Sequence, residues 1–172
     1  MSSLRNIWKD QRLSLSTKTR IYQTLVVLVL LYASETWKLL AADVKTLEAF
    51  HVKYQRQILR ICWQDHVLND EVAARTGLRP VMECIRRRRE AIFGHVARMS
   101  PNIPAHQALR LQVETSPGRR PDRDWARSSG RPRNRWIDQL RQDHQRPPAD
   151  LWRAAIQRGH TGATLLSSTT TR

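Results

Sequence analysis

The chain lacks several things that whole classes of function require. It has only two cysteines in 172 residues, Cys62 and Cys84. That excludes a disulfide framework and the small secreted scaffolds that depend on one. The amino terminus, MSSLRNIWKDQRLS, has no apolar centre of the signal-peptide kind. The strongest apolar run, LVVLVLLYA, covers nine residues from Leu25 to Ala33. A membrane-spanning helix needs roughly 20, so the run is expected to be a buried core helix. Lysine disappears after Lys53, and every basic residue beyond it except histidine is arginine. Nowhere are two aspartates adjacent, and no glycine-rich phosphate loop occurs.

What remains is charge. Thirty Lys and Arg face 15 Asp and Glu, for a formal net charge of +15. Such an excess favours polyanionic partners, nucleic acid before anionic membrane. Arginine adds planar, forked donors that match phosphates and guanine edges. The bland cause of the arginine excess over lysine is genomic bias, which leaves the charge in place.

Hydrophobic periodicity predicts helices throughout. Ser16 or Thr17 can cap a helix running toward Trp37 that is apolar nearly all round. In the next zone Leu47, Phe50, Tyr54, Ile58 and Ile61 step by 3, 4, 4 and 3, which is one face of a helix. Lys45, Glu48, Arg56 and Arg60 can take its other side. Asn69 can cap a short helix that Gly77 stops. Pro80 suits the first turn of a longer one, whose stripe is Val81, Ile85, Ile92, Val96 and Met99. Arg88 falls inside that stripe. From Glu114 to Arg133 proline, glycine, serine and arginine dominate, as in a basic linker. Short helices with Trp136, Ile137 and Leu140, and with Leu151, Trp152 and Ile156, should follow. The resulting division is an N-terminal extension (1–12), a helical domain (13–100), a linker (101–130), a short basic helical segment (131–160) and a disordered tail (161–172). The fold class is all-α, a small helical bundle.

The densest charge is Arg86–Arg89. Consecutive helical positions differ by about 100°, so four of them cover every side of the helix. The alternatives are a solvated face, a protein contact, and a surface for phosphates. Around it, Val72, Ala73, Gly77 and Leu78 match half of a helix-turn-helix. Glu83 and Arg86 stand where that motif buries apolar side chains, which argues against it. SGRPRNR from Ser129 resembles the core of an AT-hook, a minor-groove segment. Ser129 replaces the arginine expected before Gly130. Cys62, His66, Cys84 and His95 could make a metal site only on paper, because the second pair lacks tight spacing. Two-metal nucleotidyl transfer needs carboxylates converging on ions about 4 Å apart. None of Tyr22, Tyr32, Phe50, Tyr54 and Phe93 precedes a carboxylate pair. Pro121-Asp122 could open a restriction-type nuclease motif, but the lysine that closes it is missing. No catalytic residue, metal or cofactor is expected.

Four segments, taken in order, resemble the C-terminal part of the reverse transcriptase polyprotein of non-LTR (LINE, jockey-like) retrotransposons. They are LSTKTRIYQTLVVLVLLYASETW (15–37), LEAFHVKYQRQILRICWQDHVLNDEVAARTGL (47–78), IRRRREAIFGHVARM (85–99) and GRPRNRWIDQLRQD (130–143). Each is weak alone, but the ordered set is fairly specific and spans about three quarters of the chain. The resemblance implies a helical thumb and a downstream basic segment that hold template RNA and primed DNA. It also implies that the fingers and palm, with their metal-binding aspartates, are missing partners. Ala33 stands where that family usually has glycine, and the last twenty residues depart from its pattern.

The expectation is an intracellular ribonucleoprotein component, nuclear or cytoplasmic, that binds RNA or an RNA–DNA hybrid through its phosphate backbone. It has no membrane association, no small-molecule substrate and no catalysis of its own. Arg86, Arg87, Arg88, Arg89, Arg119, Arg120, Arg131, Arg133 and Arg135 are the candidate contacts. Two other readings stay open. One is a small DNA-binding regulator that uses the GRPR hook. The other is a non-functional structural remnant of a mobile element.

Overall fold

The computed structural model describes residues 2–115 and 135–167, with side chains over 4–115 and 135–157. Among these residues every regular element is helical and none is a strand. The chain divides into two compact units. One comprises 1–34 and 39–85, the other 35–38 and 86–172.

In the first unit α1 (Ser2–Lys9) falls within the expected extension and is folded. Trp8 is buried against Tyr22, ring edge to face. Lys18 is buried too, and its ammonium donates to the Trp8 carbonyl at 3.0 Å. The second helix, α2 (Leu15–Tyr22), is capped by Ser14, two residues before Ser16 and three before Thr17, the caps the sequence offered; its hydroxyl accepts from the Thr17 amide. It continues through a π-helical turn (Gln23–Val27) into α3 (Leu28–Leu30). Then come α4 (Ala41–Leu59) and α5 (Asn69–Thr76). Leu68, not Asn69, holds the N-cap of α5, and Gly77 ends it in the left-handed region at φ +66°. The core gathers Trp8, Tyr22, Val26, Ile58 and Leu78, with Phe50 and Tyr54 packed on it. These α4 residues come from the face that periodicity picked out.

The run from Leu25 to Ala33 is not the buried helix its composition predicts. Val26 and Leu31 are buried, but Leu25, Leu28, Val29 and Tyr32 are exposed along one face. Composition records that a helix is apolar, not whether its own unit covers every side.

The long helix α6 (Val81–Ala97) belongs to the first unit through Ile85 and to the second from Arg86 onward. The second unit adds α7 (Pro104–Thr115), α8 (Trp136–His144) and α9 (Pro148–Ser167). Two sequence expectations are corrected. The linker placed at 101–130 contains α7, which starts on a proline at its first position and buries His106 and Val113 with Leu109 partly buried between them. The tail placed at 161–172 is helical through Ser167. The core of this unit joins Phe93, Ala97, Val113, Ile137, Leu140 and Ala155, with Trp136 and Trp152 packed against it.

The same local device opens α4 and α8. An aspartate three residues into the motif accepts the backbone N–H of the N-cap: Leu40 donates to Asp43 at 2.9 Å and Arg135 to Asp138 at 3.1 Å. A carboxylate there also meets the positive end of the helix dipole.

Candidate nucleic-acid interface

The four-arginine run sits on α6, and the 100° step decides the fate of each member. Arg86 and Arg87 are exposed, Arg88 is half-buried and Arg89 is buried. Arg89 is only 1% exposed and pairs through Nη1 with the Asp143 carboxylate of α8. Its Nη2 donates to the Trp37 carbonyl at 3.4 Å, and its Nε has no hydrogen-bond partner among the described residues. The buried face of α6 is therefore Val81, Ile85, Arg89, Phe93 and Ala97, strictly four apart. It shares Val81 and Ile85 with the stripe that placed Arg88 inside, and from Arg89 onward runs one residue out of phase with it. Arg89 is corrected from a phosphate contact to an internal ion pair. Arg86 and Arg87 lie on the exposed side of the same helix.

Arg135 is exposed at the start of α8, where its guanidinium grips Asp138 through Nε at 3.1 Å and Nη2 at 3.2 Å. Burial alone would raise the Asp138 carboxyl, but the side-chain and backbone hydrogen bonds from Arg135 outweigh it and hold the pKa below the usual range. Trp136 beside it donates from Nε1 to the Glu35 carbonyl at 2.7 Å. Arg119, Arg120, Arg131 and Arg133, with the GRPR segment, lie outside the described residues.

The sequence reading missed a groove of about 860 Å³ along α4 in the first unit. Lys45, Glu48, Ala49, Val52, Lys53 and Arg56 line it along the helix, together with Trp63. These positions share a face because they recur at helical spacing. Lys45 and Lys53 are exposed, and neither ammonium pairs with a described residue. Arg56 is anchored: its Nη2 donates to the Asn69 side-chain oxygen at 2.9 Å and to the Val67 carbonyl. Trp63 stands on a single 3-10 turn (Trp63–Asp65) and is 79% exposed. Its turn is fixed by the Asp65 carboxylate, which accepts the Cys62 amide at 2.6 Å. The legible signal was the polar side of α4, where Lys45, Glu48 and Arg56 were already placed. The exposed tryptophan had no such signal.

Among the described residues no group of three or more His, Cys, Asp and Glu could hold a metal ion. Cys62 is exposed and Cys84 partly buried. No described helix is long and apolar enough to cross a membrane. Comparisons with family models, with curated proteins and with solved structures find no match to this chain.

Proposed function

We propose that the chain binds single-stranded RNA or an RNA–DNA hybrid through its phosphate backbone, as the thumb and downstream basic region of a retrotransposon-type reverse transcriptase, without catalysis of its own. The observation that carries this reading is the α4 groove. Lysines that pair with no described residue line a groove together with an exposed indole. A charged track with an aromatic platform is what sequence-tolerant recognition of a single strand uses, because every base has a face to stack. Arg86 and Arg87 add two exposed cations on α6. The net charge of +15 supplies the long-range attraction. On this reading the chain works in a nuclear or cytoplasmic ribonucleoprotein.

Filter binding to a 30-nucleotide RNA across salt concentrations tests the reading. For about six phosphate contacts, log K falls with log salt at a slope of roughly −4 to −5. Lys45→Gln with Lys53→Gln flattens the slope by about 1 to 2, and so does Arg86→Gln with Arg87→Gln. Trp63→Ala weakens binding roughly 5- to 100-fold, with little change of slope, because stacking releases no counterion. Absence of binding at low salt, or variants that bind as the parent does, overturns the reading.

A further inference from the structure

The second unit holds a cleft of about 990 Å³ between α7, α9 and the end of α6. That is at the upper end of the volumes of small-ligand sites. Trp152 forms one wall and is held from two sides: the Phe93 ring meets it edge-on with centroids 6.0 Å apart, and the His106 ring tilts against it at 5.0 Å. His106 is itself fixed, with Nδ1 donating to the Val96 carbonyl at 3.2 Å. The indole is thus a stiff, half-buried flat surface lining open space.

Three arginines share this cleft, one from each of three segments: Arg98, Arg110 and Arg153. Arg98 follows α6 and donates from Nη1 to the Ala155 carbonyl at 3.3 Å. Its place depends on Gly94. A Cβ built on Gly94 would lie 2.9 Å from the Arg98 Nη1, so the absence of a side chain there lets the guanidinium lie down. Arg110 pairs with Glu114, which also lines the cleft, at 2.8 Å, and Arg153 pairs with Asp150. Both pairs are largely exposed. Exposed pairs of this kind hold little energy, so a phosphate can take either guanidinium from its carboxylate.

We propose that this cleft binds one or two nucleotides of a single strand, with a base against Trp152 and phosphate at Arg98, Arg110 and Arg153. This rests on the nucleic-acid reading above and narrows it to a defined second site. A flat apolar wall selects the base, and the arginines select the anion. Neither alone accounts for both being in one cleft.

The test uses the full chain with a fluorescein-labelled trinucleotide, with and without a 5′-phosphate, and with the 30-nucleotide RNA. Inorganic phosphate and uridine serve as competitors. The expected result is saturable trinucleotide binding that Arg98→Gln with Arg153→Gln weakens at least ~10-fold, while the parent helicity by circular dichroism is kept. Gly94→Ala has the same direction of effect, because it displaces only the far end of a flexible side chain. Trp152→Phe weakens it less than Trp152→Leu, and the glycine and arginine variants decide the matter if the leucine variant unfolds. A 5′-phosphate that strengthens binding assigns the arginines to a strand terminus, and equal binding of both probes assigns them to internal phosphates. If the 30-nucleotide RNA binds and the trinucleotide does not, the cleft is not a nucleotide site and the general reading survives. If neither binds, both fail. Competition by inorganic phosphate as effective as that by unlabelled trinucleotide overturns the role of the base.

Discussion

The Arg89 guanidinium is buried on α6 and ion-paired with Asp143 on α8, 54 residues further along the chain. Asp143 is 17% exposed and Arg89 only 1%, so the cation is the fully desolvated partner. Neutralising the anion strands a buried charge, which typically costs about 3–5 kcal/mol. Asp143→Asn is expected near the lower end, because the pair retains some contact with water. Arg89→Met strands the Asp143 carboxylate instead, but that group keeps contact with water and the methionine fills similar volume, so it should cost less. Urea denaturation of the two variants checks the ordering. Equal losses would mean that the pair acts through packing and not through charge.

His51 links α2 to the loop before α6. The Tyr22 hydroxyl donates to Nδ1 at 2.9 Å, and Nε2 donates to the Arg79 carbonyl at 3.0 Å. That pattern needs a neutral imidazole with its proton on Nε2. Burial raises the Tyr22 hydroxyl pKa well above its ordinary value, so the hydroxyl keeps its proton. Burial also pushes the His51 pKa down, against the partly offsetting Arg79 carbonyl and Glu48. The unfolded ring, at about 6.5, therefore holds its proton to higher pH than the folded one. Between those two values the unfolded state binds more protons, so stability rises with pH. The contribution is complete above the unfolded value and is lost as pH falls through the folded one. Urea midpoints measured from about pH 7.5 down to about pH 5 should fall. His51→Gln should be less stable at pH 7.5, by about 1–3 kcal/mol for the broken buried hydrogen bonds, and should lose part of the slope. Parallel slopes for parent and variant would rule His51 out as the source.

Ala33 adopts φ +54°, in the left-handed region. An L side chain there costs about 1–2 kcal/mol, and glycine avoids it at an entropic cost of about 0.5–1 kcal/mol. Ala33→Gly should therefore stabilise the first unit by about 0.5–1 kcal/mol. Ala33→Val should destabilise it, because branching at Cβ worsens the same clash. Thermal melts of the pair settle the sign.

The helical class and the α4 face were legible because Phe50, Tyr54 and Ile58 repeat at the helical period and pack as that period demands. Gly77 was legible as a stop because glycine takes φ +66° without a Cβ clash. Arg89 was not. A strict four-residue step drifts across a 3.6-residue turn, so the apolar markers Ile92 and Val96 dragged the inferred stripe toward Arg88. The α7 helix was hidden by the prolines at 101 and 104, one of which starts it. Of the candidate site, the exposed cations of α6 were visible in the sequence. The groove on α4 and the cleft around Trp152 were not, because each depends on which residues far apart in sequence meet.

The exposed face at Leu25, Leu28, Val29 and Tyr32 invites a last prediction. Val29 is 71% exposed and Tyr32 80%, and the four recur at helical spacing. Between Arg20 and Glu35 no charged residue interrupts them. Contiguous apolar surface of this kind promotes association, yet the side chains contribute little to the fold that leaves them in water. Leu28→Lys with Val29→Glu should change unfolding free energy by no more than about 0.5 kcal/mol. Replacing a β-branched residue by glutamate should even favour the helix slightly. The same pair should lower dye binding to apolar surface and abolish concentration-dependent light scattering. A loss of several kcal/mol would show instead that this face is packed in the folded chain.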